Sequence, residues 1–138
     1  MTNLTTLQPG LQASVSVIVA QEHTAPSIGS GKVFVLATPV MINLMEAASL
    51  KAVEHLLPAG HQSLGIHLDV RHFAATPVGM RVTATAELVR VEGRTLHFKV
   101  EARDEREVVG DGTHARVVVN VEKFDQRAQR KRLGDPAR

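Results

Sequence analysis

Only one stretch of this chain can form a long helix, and almost everything after it alternates like strand. The helical stretch covers about residues 39–57, opened by Thr38-Pro39 and closed by Pro58 with Gly60 just beyond. A threonine suits the N-cap, and a proline suits the first helical position, where its missing N–H has no partner to lose. A proline cannot continue a helix, so Pro58 ends it. Upstream, residues 11–20 (LQASVSVIVA) are rich in β-branched side chains and read as a strand. Residues 21–32 form a loop marked by Pro26 and Gly29-Ser30-Gly31, and residues 33–36 a short extended piece. Downstream, residues 63–75, 80–91, 94–103 and 108–121 read as strands, separated by short Gly-, Pro- or charge-marked turns. Short connections imply antiparallel neighbours. One helix on one face of a curved antiparallel sheet of about five to six strands is an α+β layer architecture. At 138 residues the chain is expected to be one domain over 1–126, with 127–138 a basic, frayed tail.

Composition narrows the chemistry. There is no cysteine, which excludes disulfides, thiolate catalysis and zinc–cysteine sites and suits a reducing compartment. No apolar run approaches the ~20 residues of a membrane helix. The N-terminus has no basic start followed by an apolar stretch, so a cytoplasmic protein is expected. The net charge is only +2, with a basic cluster at Arg127, Arg130, Lys131 and Arg132. With no Tyr or Trp and four Phe, stacking platforms for nucleic acid are scarce, so no nucleic-acid partner is expected. The histidines show no metal-ligand spacing backed by a third ligand, and the Gly29-Ser30-Gly31 run lacks a phosphate-loop pattern. No metal and no cofactor are expected.

Three residues stand out by position. On a helical wheel Lys51, Glu54 and His55 mark the solvent side, and Met41, Ile42, Met45, Ala52, Val53, Leu56 and Leu57 lie opposite. Glu46 falls roughly 45–50° from the centre of that apolar side. A carboxylate there has to be paired, protonated or reached by water. In the strand from Ser63, strict alternation puts Leu64, Ile66, Leu68, Val70 and His72 on one face, read as the core face, and Gly65, His67, Asp69, Arg71 and Phe73 on the other. His72 would then share an interior with Glu46. Thr38, at the helix start, lies beside free N–H groups and the positive end of the dipole, a setting that suits an oxyanion. Capping and catalysis compete for its hydroxyl. In the last strand alternation puts His114 and Arg116 on the face away from Val117, Val119 and Val121.

The segments ATPVMINLMEAA (37–48), SLGIHLDVRHFAATPVGM (63–80), VTATAELVRVEGRTL (82–96) and GTHARVVVNVEKF (112–124) resemble the fluoroacetyl-CoA-specific thioesterase family of the hotdog thioesterase superfamily. The resemblance implies a hotdog fold and an acyl-CoA thioesterase that releases a free acid and CoA. It implies Thr38, Glu46 and His72 as active-site residues, a backbone contact from Gly65, and Arg116 lining the site or its CoA entrance. The family carries an aromatic lid before the helix. Here that segment is SIGSGKVFVLA, with Phe34 its only aromatic and so its candidate substrate contact. A general short- or medium-chain acyl-CoA is therefore expected rather than fluoroacetyl-CoA alone. A homodimer is expected, with a tetramer as a further assembly. The alternative is a hotdog module that binds acyl-CoA or an acyl carrier without cleaving it. A third reading, of another class, has the basic tail bind nucleic acid or a partner.

Overall fold

The structure, a computed structural model, describes residues 4–134. β1 (Gln12–Ile18) leads through a 3-10 turn (Gln21–His23) and a one-turn α1 (Ala25–Ile28) to α2 (Thr38–Val53). A 3-10 turn (Glu54–Leu56) extends α2, and β2 (His61–His72), β3 (Arg81–Glu92), β4 (Thr95–Asp104) and β5 (Val108–Asn120) follow. The chain ends in α3 (Val121–Arg132). The loop expected at 21–32 is thus partly helical. The expected tail is different too: 127–132 form the second half of α3 and stand exposed, while 135–138 lie outside the described residues.

The five strands form one antiparallel sheet in the order β1-β3-β4-β5-β2. Only β3–β4 and β4–β5 are hairpins. β2 does not pair with β3, as a short turn led us to expect; it crosses to the far edge and pairs with β5. Period-two alternation fixes which face a side chain takes, not which strand lies alongside, so pairing was not readable from it. This is the hotdog architecture: a five-turn helical segment on the concave face of a curved sheet.

The helix packs mainly over β1 and β3. Met41, Met45, Ala48, Ala52 and Val53 are buried against Ala84, Ala86, Leu88 and Phe98. Small alanines on β3 let the helix approach, and the larger side chains fill the space between layers. Truncating Met45 to alanine would cost about 2–5 kcal/mol by the usual cavity penalty.

β2 carries the feature that shapes the site. Its pairing with β5 shifts between Gly65 and His67, so Ile66 is an extra, unpaired residue. Such a bulge flips the side-chain alternation beyond it. Ser63 pairs with Val118 and Gly65 with Arg116 before the bulge; Leu68 pairs with His114 and His72 with Gly110 after it. Directly opposed residues share a face, so Ser63, Gly65 and His72 all turn toward the helix side. The unbroken stripe expected from Leu64 to His72 therefore does not form. Leu64, Ile66 and Leu68 are 37%, 56% and 40% exposed on this free edge.

The β5 faces also differ from expectation in their meaning. The face away from Val117, Val119 and Val121 is the inner one, where Val118, Arg116 and His114 are buried.

Candidate active site

Two clusters flank α2. The first lies at its start. Ala37, not Thr38, is the N-cap residue; Thr38 is already the first helical residue, and Pro39 the second. The Thr38 hydroxyl makes no capping bond and lies 2.7 Å from His72 Nδ1. The hydroxyl is therefore not spent on capping and faces His72. The N–H groups of Val40 and Met41 both bond the Ala37 carbonyl, and Pro39 has none. What the helix start offers is the hydroxyl and the dipole rather than a row of free N–H groups.

His72 Nε2 is buried without a hydrogen-bond partner, although the Ala74 backbone lies close enough to act on the ring. Burial pushes the His72 pKa below its ordinary value, and Ala74 opposes this only in part. Thr38 and His72 line a cleft of about 290 Å³ walled by Lys32, Val33, Val35 and Phe73. Phe34 does not line it; the side chain is 59% exposed. The aromatic ring on the cleft is Phe73, which strict alternation had turned away.

The second cluster surrounds Glu46. Its side chain is 35% exposed, and Oε2 lies 3.7 Å from Arg116 Nη1. Arg116 is buried and satisfied. Its Nε donates to Ser63 Oγ at 2.8 Å and its Nη2 to the Ser63 carbonyl at 3.0 Å. Its Nη1 lies 3.1 Å from His114 Nε2. His114 Nδ1 is 2.8 Å from the His67 carbonyl. A carbonyl can only accept, so Nδ1 carries the proton and Nε2 accepts from Arg116. Burial pushes the His114 pKa down; the His67 carbonyl works against that, and the Arg116 charge adds to it. On the far side, Glu54 accepts from both the Ser63 N–H (2.9 Å) and the Ser63 hydroxyl (2.7 Å). Burial lowers the Arg116 pKa, opposed first by Glu54 and then by Glu46, and the guanidinium stays a cation.

Gly65 makes room for this arrangement. A Cβ there would fall 2.6 Å from Glu46 Oε2 and 3.1 Å from His114 Cε1. Any other residue would push the carboxylate aside.

The two clusters do not meet in one chain. Thr38 and Glu46 are eight residues apart on α2, about 12 Å along its axis. Sequence alone suggested one shared interior; the structure instead pairs Thr38 with His72, and Glu46 with Arg116 and Gly65.

Residues 19–122 match the family model of FlK, the fluoroacetyl-CoA-specific thioesterase. The chain belongs to this family. It is 46% identical over 97 residues, 70% of either protein, to the fluoroacetyl-CoA thioesterase of Streptantibioticus cattleyicolor. A solved structure of the fluoroacetyl-CoA thioesterase FlK superposes with a TM-score of 0.86 at 37% identity, covering 91% of this chain and 97% of that one. A thioesterase superfamily member from Thermus thermophilus superposes at 0.84 with 29% identity, covering 91% and 93%.

Within this family member, sequence reasoning missed Ser63, Glu54 and His114. Glu54 was placed on the solvent side of the wheel, yet α2 gives way to a 3-10 turn at that residue, which redirects it toward β2. Among the described residues no group of three or more His, Asp or Glu could hold a metal ion.

Proposed function

We propose that the protein hydrolyses a short- or medium-chain acyl-CoA to the free acid and CoA, in a site completed by a second copy of the chain. The observation that carries this reading is the partly exposed Glu46 carboxylate, held beside a buried arginine in a member of a thioesterase family. Glu46 acts as general base on water, or attacks the thioester carbonyl to form a mixed anhydride that water then opens. The Thr38 hydroxyl and the positive end of α2 stabilise the tetrahedral oxyanion. His72 orients that hydroxyl and serves the departing thiolate, which leaves as the C–S bond breaks and takes up a proton as CoA.

Assembly follows from the separation of the clusters. A two-fold partner added at the free β2 edge would cover Leu64, Ile66 and Leu68 and set Thr38–His72 of one copy against Glu46 of the other. The homodimer is the functional unit in this reading. The cysteine-free chain suits the cytoplasm, and no helix among the described residues is long and apolar enough to cross a membrane. A general acyl selectivity is favoured because the cleft is walled by Val33, Val35 and Phe73, while Phe34 stands clear of it.

Thiol release from a panel of acyl-CoAs of increasing chain length tests the reading. Turnover is expected on the short members, and Glu46→Gln should lower kcat by about 10²–10⁴-fold. Binding without thiol release would make the protein a carrier module. A folded Glu46→Gln variant with full turnover would overturn the assignment of the carboxylate.

A further inference from the structure

Arg116 stands 3.7 Å from Glu46, too far for a hydrogen bond and unusually far for a buried guanidinium facing a carboxylate. Left to itself, such a pair closes into a bidentate fork. Three hydrogen bonds hold this one open. Ser63 fixes Nε and Nη2, and the lone pair of His114 draws Nη1 sideways. Glu54 stands behind Ser63, accepting both its N–H and its hydroxyl hydrogen, so the serine oxygen can only accept from Arg116. Glu54 also supplies a second negative charge to balance the guanidinium.

We propose that Glu54, Ser63 and His114 are positioning residues: together they clamp Arg116 at a stand-off from Glu46, so that the guanidinium lies beside the carboxylate without capturing it. This rests on the reading of Glu46 as base or nucleophile. A carboxylate locked in a two-pronged pair has its lone pairs engaged and cannot reach water or a carbonyl carbon. One with no cation near it would have no charge balance in the interior. The clamp gives the intermediate case. The other groups around Glu46 leave this balance to Arg116, since His114 is held neutral. Gly65 on β2 has no side chain, and His67 turns its carbonyl to His114, on which its imidazole also acts.

The test is to break the clamp at separate points and read both chemistry and geometry. His114→Leu removes the tie on Nη1 and frees it to close on Glu46, while Ser63→Ala removes the tie on Nε and Glu54→Gln weakens the hold on Ser63, so each loosens the clamp. In each, kcat should fall on the order of tenfold with KM held within about twofold. A closer cation favours the ionised carboxylate, so the acid limb of the kcat/KM profile should move to lower pH. A crystal structure of His114→Leu should show Nη1 and Oε2 within hydrogen-bond distance, and those of the other two a spacing shorter than the parent's 3.7 Å. His114→Gln, whose amide oxygen can accept from Nη1, should restore most of the rate and the original profile. An unmoved pH profile and an unchanged Arg116–Glu46 spacing in the variants that fold would overturn the proposal. So would a His114→Gln enzyme as impaired as His114→Leu. A parent protein that hydrolyses no acyl-CoA would refute the functional reading instead, and the spacing in the variants would still decide the clamp.

Discussion

The stretch from Glu46 to the far end of the helix at Glu54 and the helix start at Thr38 are built on opposite plans. Around Glu46, the Arg116 side chain is tied to Ser63 and His114, and the serine in turn to Glu54. Around Thr38, a single hydroxyl–imidazole contact stands beside a cleft, with one imidazole nitrogen unpartnered. The first end carries charge, and charge in a partly buried place demands a satisfied network, because each loose partner costs several kcal/mol. The second end carries neutral dipoles, which tolerate an incomplete set of partners at lower cost. A reaction that moves negative charge from a carboxylate toward a thioester oxygen benefits from both. On the proposed mechanism the source of the charge is fixed in advance, and its destination is left open to be filled by substrate.

The largest effect that would sharpen this contrast is expected at Thr38. If its hydroxyl serves the oxyanion, Thr38→Ala should lower kcat by about 10²–10³-fold, the usual loss of one oxyanion donor. Stability should hardly change, because the hydroxyl caps nothing. A true N-cap threonine would cost ~1 kcal/mol on the same substitution. Thermal unfolding of the two proteins separates these cases. Thr38→Ser, which keeps the hydroxyl, should retain most of the activity. A variant that loses stability but not turnover would make Thr38 a structural residue and the comparison of the two ends empty.

That prediction also marks where sequence reasoning stops. The long helix α2, the strand-rich stretch after it and the inward lean of Glu46 are legible in periodicity, because solvent partition repeats with the geometry of the element, whereas α3 reads as strand end and tail. The register is not. One extra residue, Ile66, returns His72 to the inner face after Gly65 has already pointed there. No pattern in SLGIHLDVRH announces it; the apolar residues Leu64, Ile66 and Leu68 even argue for an unbroken strand facing the core. They are apolar and yet exposed in the single chain. For the same reason Arg116 was placed by resemblance and not by physics. A buried arginine beside two carboxylates is a property of two strands and a helix meeting, and the single strand shows only a charged residue among valines. Glu54 was misread for a smaller cause: a wheel drawn at 100° per residue fails where the helix tightens to a 3-10 turn.

A smaller effect is expected at Gly65. The Cβ of Gly65→Ala would meet the end of the Glu46 side chain rather than backbone, so the protein can yield by swinging the carboxylate. Folding should therefore cost no more than about 1–3 kcal/mol, the usual range for overpacking. The displaced carboxylate should lower kcat on the order of tenfold to a hundredfold, as misplacement by an ångström does elsewhere. The measurement is kcat beside a urea unfolding curve. A large loss of stability with normal kcat in the remaining folded enzyme would mean that Gly65 matters for packing against His114 and not for Glu46.

The smallest effect concerns pH, and it asks which end resists protonation more. Burial holds the pKa of both His72 and His114 below the ordinary histidine value. As pH falls through about 6.5, the unfolded chain takes up these protons while the folded one does not, so stability is lost on the acid side. It is fully present above that range and declines until the folded-state pKa values are reached. Asp104 does not blur this window. Burial works to raise its pKa, but the Arg106 and Glu107 N–H groups and the Thr76 hydroxyl outweigh that, so its own contribution fades only below about pH 4. The midpoint of thermal unfolding should therefore drop on the order of a few degrees between pH 7 and pH 5. The two histidines should not share that drop equally. A proton on His114 places a second cation against the Arg116 guanidinium and removes the lone pair that holds it, whereas a proton on His72 meets only a neutral hydroxyl. His114→Gln should flatten the slope more than His72→Gln. Equal flattening would mean that burial alone governs both sites, and that the charged network at the Glu46 end adds nothing to its resistance.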